Sequence, residues 1–429
     1  MKKIEELILY RGREDELLTK LAELMNELEK SEERETLKNR YFACMQELLE
    51  IGESHGFAGN LWHCYLTYLL VYHENAYSKA CEIRGSVEGG INQIALHDFQ
   101  IFMGLFATNF HEIEEKLQIF VYPMIADYGN ASDDRKIFNR RIRDRICTLS
   151  VKLAQTETPE EFKKEMEQFY REFGVGKFGL HKAFRIQHTE EGAKIIPITN
   201  IAHVYLDDLV GYEIPKQKLI DNTEAFVNGK RANNCLLFGD AGTGKSSSIK
   251  GILNRYYDRG LRIIEVYKHQ FQDLNDIIAQ IKNRNYKFII YMDDLSFEEF
   301  EIEYKYLKAV IEGGLEKKPD NILIYATSNR RHLIKESFAD KEGRRADMHS
   351  SDTVQEKLSL VYRFGVSIFF CAPNKKEFQN IVKVLAEKYQ VTLPEEELLQ
   401  KANQWELSHG GLSGRTAQQF IDHLLGKPE

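Results

Sequence analysis

Apolar positions along the chain follow two periods. Over the first 185 residues or so they recur at helical spacing: Leu17, Leu21, Leu24 and Leu28 share one face and charged residues take the others. The same period predicts helices near 33–52, 60–83, 97–118, 133–155 and 159–173. Gly56-Phe57-Ala58-Gly59 and Gly89-Gly90 interrupt it. Thr158-Pro159-Glu160-Glu161 reads as a helix start, with proline at the first helical position. From about 234 the pattern changes to short runs that are apolar throughout, such as Phe288-Ile289-Ile290-Tyr291-Met292, separated by amphipathic stretches. Strands are predicted at 234–238, 261–266, 287–292, 321–326 and 366–371. Helices are predicted at 245–257, 270–283, 300–316 and near 352–362. Runs without polar alternation are strands covered on both faces, and their alternation with helices predicts an α/β fold with a doubly wound parallel sheet. After Pro373 the period is helical again, over about 374–390, 394–403 and 413–425.

Between the two regimes, Gly174, Gly176 and Gly179 loosen the chain, and Lys194-Ile195-Ile196-Pro197-Ile198 is strand-like. Pro197 confines that piece to a sheet edge or an extended link. A helix candidate runs from Pro215 to Asn228.

Composition narrows the class without naming the chemistry. The chain has 429 residues and a formal charge of −8, so a general nucleic-acid coat is not indicated. The six cysteines are scattered with no C-x-x-C, which supports neither a zinc site nor a disulfide framework and suits dispersed thiols in a reducing compartment. The opening Met1-Lys2-Lys3-Ile4-Glu5-Glu6 turns acidic at once, and the longest apolar stretch, around Leu61 to Tyr72, is too short to span a bilayer. A cytoplasmic protein without membrane insertion is expected. One local exception to the acidic balance is the run Arg135, Lys136, Arg140, Arg141, Arg143, Arg145. It suits an acidic partner or nucleic acid, or else a solvated helix face, since Asp133, Asp134 and Asp144 are interleaved.

The chemistry enters with Gly239-Asp240-Ala241-Gly242-Thr243-Gly244-Lys245-Ser246-Ser247, which carries the full G-x-x-x-x-G-K-[ST] pattern between a strand and a helix. Backbone amides of such a loop and the positive end of the following helix form a triphosphate cradle. Lys245 adds a charge at the outer phosphates, and the Ser246 hydroxyl suits Mg2+. The strand at 287–292 ends in Asp293-Asp294, one carboxylate to hold Mg2+ and one to orient or deprotonate an attacking water. The strand at 321–326 leads to Asn329, a polar amide suited to positioning that water, or alternatively to capping a helix. Arg363 precedes the last strand, and Arg415 opens a helix after Gly410-Gly411-Leu412-Ser413-Gly414, where a cation opposes the helix dipole unless an anion faces it. Asn374-Lys375-Lys376-Glu377 is similar to the guanine reader of GTPases but ends in Glu, and also reads as a turn into a helix.

These pieces, in this order, resemble the AAA+ ATPases over about residues 205–425. The resemblance implies a core strand order of 5-1-4-3-2. It makes 239–246 the Walker A loop, Asp293-Asp294 the Walker B pair, Asn329 sensor 1, Arg363 an arginine finger and Arg415 sensor 2. It makes Asp208-Leu209-Val210-Gly211-Tyr212 the adenine-pocket segment, with Val210 and Gly211 as nucleotide contacts. Asp208–Tyr212, Ala232-Asn233-Asn234, Asp293–Glu298, Ala326–Leu333 and Ser413-Gly414-Arg415 more narrowly resemble one bacterial AAA+ family of unknown function. Most AAA+ enzymes carry Asp-Glu at the Walker B end. With Asp-Asp here, Asp294 is the first choice for water activation and Glu298 the reserve. The implied organisation is a helical partner-binding domain over 1–185, a connector over 186–205, an α/β nucleotide-binding core over 206–372 and a helical lid over 373–429. The expected activity is Mg2+-dependent ATP hydrolysis in a head-to-tail homo-oligomer acting on an unknown protein or nucleic-acid client. The alternative is a slow-turnover switch or loader on DNA or a DNA-bound protein.

Overall fold

The computed structural model describes residues 4–11, 16–28, 34–85, 89–129, 140–190, 192–199, 201, 204–297, 302–312, 319–329, 333 and 360–426. The chain divides into two units, Met1–His181 and Lys182–Glu429.

The first unit is helical in its described residues: α1 (Glu16–Leu28), α2 (Arg34–His55), α3 (Leu61–Tyr72), α4 (Ala76–Arg84), α5 (Ile91–Phe106), α6 (Phe110–Leu117), α7 (Tyr122–Ala126), α8 (Arg140–Ala154), α9 (Pro159–Phe173) and α10 (Gly176–Leu180). Two stretches that the apolar period reads as single helices are each two. The 60–83 stretch breaks where Asn75 starts α4 with a reciprocal capping box to Ser78, and the 97–118 stretch breaks where Asn109 caps α6. An Asn side chain that bonds its own downstream amides outcompetes helix continuation there. The aromatic Leu61–Tyr68 segment is core: Trp62 is fully buried and its indole N–H donates to the Leu105 carbonyl at 2.8 Å. Buried Asp98 on α5 accepts the amides of Ile8, Leu9 and Tyr10, which ties the first residues of the unit down.

The second unit is built on a seven-stranded sheet of β1 (Ala183–Thr189), β2 (Gly192–Pro197), β3 (Cys235–Gly239), β4 (Leu261–Glu265), β5 (Lys287–Met292), β6 (Ile322–Ser328) and β7 (Val366–Phe370). Its order is β2-β1-β4-β5-β6-β3-β7. Every neighbouring pair is parallel except the β1–β2 hairpin. Counting only the five strands from β3 onward, the order from the β7 edge is 5-1-4-3-2, as the AAA+ resemblance implies. All seven residues of β6 are buried, as a central parallel strand covered on both faces requires.

The hairpin corrects the sequence reading of 186–205 as a connector. Ala183–Thr189 and Gly192–Pro197 are part of the sheet: β1 lies parallel to β4 and β2 is an edge strand. Pro197 is the last residue of that edge, a position compatible with its missing donor. The α-helices among the described residues of this unit are α11 (Glu213–Val227), α12 (Lys245–Tyr256), α13 (Leu274–Ile281), α14 (Glu303–Glu312), α15 (Lys375–Lys388), α16 (Glu395–Ser408) and α17 (Gly414–Leu425). The last three enclose their own core around Phe378, Val382, Ala402, Phe420 and Ile421. Most of the helix read near 352–362 lies outside the described residues.

Candidate active site

Strand register brings the chemistry to one end of the sheet. Leu237 lies opposite Thr327 and Phe238 opposite Ser328, while Met292 lies opposite Ala326. The exits of β3, β5 and β6 are therefore level, and the glycine-rich loop, Asp293-Asp294 and Asn329 leave the sheet side by side.

The loop is fixed at its start. Gly239 has φ 136°, and a Cβ there would collide with the Phe370 carbonyl of β7. The Asp240 amide donates to that same carbonyl at 3.0 Å, and its carboxylate accepts the Ala372 amide at 2.7 Å. Gly244, at φ 87°, begins α12, and its carbonyl accepts the Ser248 amide at 2.8 Å. Lys245 is buried and folds back over the loop, donating from Nζ to the carbonyls of Gly239 at 3.0 Å and Asp240 at 2.6 Å. Burial holds its pKa below the usual lysine range, although Asp240, Asp294 and Asp293 pull the other way.

Asp293 is the most heavily hydrogen-bonded carboxylate among the described residues of the site. Its Oδ1 accepts from Ser246 Oγ at 2.8 Å, Thr327 Oγ1 at 2.5 Å and the Asp294 amide at 3.2 Å. Burial pushes its pKa up, but hydrogen bonds from Thr327, Ser246 and the Asp294 amide outweigh it and hold the carboxyl below its ordinary range. Asp294 next to it is exposed, adopts a left-handed backbone with φ 48°, and accepts a hydrogen bond from Asn329 Nδ2 at 2.8 Å. That conformation is uncommon for any residue but glycine, and Asp is among the side chains that tolerate it best. Asn329 therefore meets the Asp294 carboxylate. Glu298 lies outside the described residues.

The C-terminal three-helix group closes the site. Ser413 caps α17 by accepting the Thr416 amide at 3.1 Å, and the Arg415 amide donates to the Gly242 carbonyl at 3.1 Å. Gly242 has φ 75°, and a Cβ on it would sit 2.9 Å from Ser413 Oγ and 3.1 Å from Arg415 Cβ. The resulting cavity of about 590 Å3 has two ends. The polar end carries Gly242–Ser247, Asp293, Asp294, Asn329 and Arg415. The apolar end carries Leu209, Val210, Ile381 and Leu385, beside Asp208, whose carboxylate pairs with Lys388 at 2.6 Å.

Among the residues singled out from sequence, Gly239, Asp240 and Ala241 do not line the cavity, and the first two anchor the loop to β7. Gly211 does not line it either. It turns the chain with φ 82° between Val210 and Tyr212, which do. Arg363 stands away from the cavity, its guanidinium paired with Glu312 at the end of α14. Thr327, Ile381, Leu385, Gln418 and Gln419 line the cavity and were not singled out from sequence. Ile381 and Leu385 stand four positions apart on α15, a spacing that reads equally as core. Asn374 accepts the amides of Lys376 and Glu377 while the Glu377 carboxylate accepts the Asn374 amide at 2.8 Å. This reciprocal capping box accounts for both polar ends of the string similar to a guanine reader.

The sequence profile of the family described as "Protein of unknown function (DUF815)" matches residues 179–428. No curated protein matches the chain. Solved structures similar to it include three forms of Thermotoga maritima RuvB. A lysine-to-arginine mutant is 14% identical over 51% of this chain and 71% of that one, with a TM-score of 0.33. An alanine-to-serine mutant is 15% identical over 52% and 75%, with a TM-score of 0.33. The form titled as the Holliday junction branch migration motor is 15% identical over 51% and 71%, with a TM-score of 0.32.

Proposed function

We propose, from the premise that the chain belongs to the DUF815 family of proteins of unknown function, that it is an AAA+ ATPase that binds Mg-ATP and hydrolyses it to ADP and phosphate in an assembly of several copies. The observation that carries this reading is the convergence of three level strand exits and the Arg415 helix start on one two-ended cavity. The cavity's donor set fits the group. Gly242 and Gly244 leave the loop backbone bare of side chains, and Lys245 is held across it. A hydroxyl and an ionised carboxylate lie 2.8 Å apart at Ser246 and Asp293, the hard oxygen pair that Mg2+ takes alongside phosphate oxygens. The apolar end, with Leu209, Val210, Ile381 and Leu385, has the character of a base pocket.

In this reading the bound Mg2+ neutralises charge on the outer phosphates. The loop amides and Lys245 fix those phosphates, and Arg415 adds a second cation from α17. Asp294 accepts the proton of the attacking water, and Asn329, bonded to the same carboxylate, holds it in place. Arg363 serves a neighbouring copy as an arginine finger. The helical first unit reads the client. The test is steady-state ATPase turnover with Mg2+, compared with Asp294→Asn. Tight ATP binding with turnover lost in the variant supports the reading, and equal turnover in both sinks it.

The second reading is a slow-turnover switch or loader on DNA or a DNA-bound protein. It draws on the short Asp294 carboxylate, already engaged by Asn329, and on Arg140, Arg141, Arg143 and Arg145 of α8. Salt-dependent DNA retention that is lost on neutralising Arg140, Arg141 and Arg143 favours it. No retention at low salt rules it out.

A further inference from the structure

Outside the nucleotide cavity, the fold does something with the cysteines that their spacing in the sequence conceals. Cys64 on α3 and Cys147 on α8 are 83 positions apart, yet α3 packs on α8 and the Cys64 thiol donates to the Cys147 sulfur across 3.8 Å. Ser150, one turn beyond Cys147, brings its Oγ to 3.5 Å from the Cys64 sulfur and donates to the Cys147 carbonyl at 2.8 Å.

The two thiols are unequal. Cys64 is buried, whereas Cys147 is partly exposed. The hydrogen bond from Cys64 is the main influence that brings the Cys147 thiol down to about 7. Burial opposes it, the Ala58 backbone and the Arg143 charge assist, and Asp144 works against it. The same contact, with burial, drives Cys64 up. A partly exposed cysteine that is about half thiolate at neutral pH, backed by a buried protonated one, is the arrangement of an attacking and a resolving cysteine. Mere packing of two small apolar side chains requires neither the thiol-to-thiol contact nor the difference in exposure.

We propose that Cys64 and Cys147 are a redox modification site that closes to a disulfide on exposure to a hydroperoxide and reopens with a dithiol reductant. In the first step the Cys147 thiolate attacks a peroxide oxygen. A sulfur–oxygen bond forms, the oxygen–oxygen bond breaks, and hydroxide leaves to be protonated to water. In the second step the Cys64 sulfur attacks Cys147. The sulfur–sulfur bond forms, the sulfur–oxygen bond breaks, and the hydroxyl departs with the Cys64 proton as water. The peroxide takes the two electrons that the thiols lose. The sulfurs close from 3.8 Å to the ~2.05 Å of a disulfide. The product pins α8, which carries Arg140, Arg141, Arg143 and Arg145, to α3.

The experiment treats the full chain with one equivalent of hydrogen peroxide at neutral pH, blocks remaining thiols by alkylation and maps the digest without reductant. The expected product joins the peptides of Cys64 and Cys147, lighter by two hydrogens than their sum, and disappears with dithiothreitol. Cys147→Ser should abolish it, and Cys64→Ser should leave a Cys147 sulfenic acid that dimedone traps. Recovery of Cys64 and Cys147 both alkylated while exposed Cys371 is oxidised overturns the proposal. So does wild-type Cys147 passing to sulfinic acid with no joined peptide. Both of these readings come from the wild-type chain and need no variant to fold.

Discussion

Lys245 Nζ rests against the carbonyls of Gly239 and Asp240, in the concave face of its own loop. Lys245→Ala should therefore remove the loop's side-chain cation, with ATP binding lost by equilibrium dialysis while the fold, by circular dichroism, survives. Asn329→Ala should leave binding intact and lower turnover by about 10²–10⁴-fold, the range for a misplaced general base. An unchanged rate would separate Asn329 from the reaction. Asp293 gives a pH prediction. Its folded pKa lies below the ordinary 3.8, so its contribution to stability is present above that value and is lost as pH falls through the folded one. Urea midpoints should fall more steeply below about pH 4 in the wild type than in Asp293→Asn, whose amide does not titrate. Motif spacing made Lys245, Ser246 and Asp293 legible because their chemistry needs fixed residue types. Thr327 was not legible, because a threonine at a strand end means nothing until register sets it beside Asp293.

Loops and caps decide how the elements join. Gly242 has a left-handed φ and no room for a Cβ beside Ser413 and Arg415, so Gly242→Ala strains the backbone and pushes the α17 start off the loop. A loss of about 1–3 kcal/mol in unfolding free energy with weakened nucleotide affinity is expected from calorimetry and titration. Asn374→Ala should cost about 0.5–2 kcal/mol as a lost helix cap, with the ratio of ATP to GTP affinity unchanged. A selective loss of GTP binding would revive the guanine reading. The strands β3 to β6 were visible as apolar runs, since strands buried on both faces leave no polar alternation to misread. The β1–β2 hairpin was obscured because the alternation in β1 is short, only Phe184 to Gln187 before the polar His188 and Thr189, and because Pro197 ends its partner. The breaks at Asn75 and Asn109 were obscured for a related reason: the apolar period runs through them, and only side-chain capping interrupts the helix.

At the scale of the molecule, Arg363 stands apart from the cavity, held by Glu312. Arg363→Ala should bind ATP normally and lose about 10³–10⁵-fold in turnover. Mixing it with Lys245→Ala should restore activity above either variant alone, because intact cavities then meet intact fingers. Additive, unrestored rates would place the residue outside a shared site. The hydrogen bond from the Arg415 amide to the Gly242 carbonyl has a consequence in this setting too. It couples the glycine-rich loop to the three C-terminal helices, and such a linkage runs both ways. Whatever factor by which bound nucleotide changes the affinity of those helices for a client, the client must change nucleotide affinity by the same factor. A partner that gripped these helices would thereby read, and rewrite, what the loop holds.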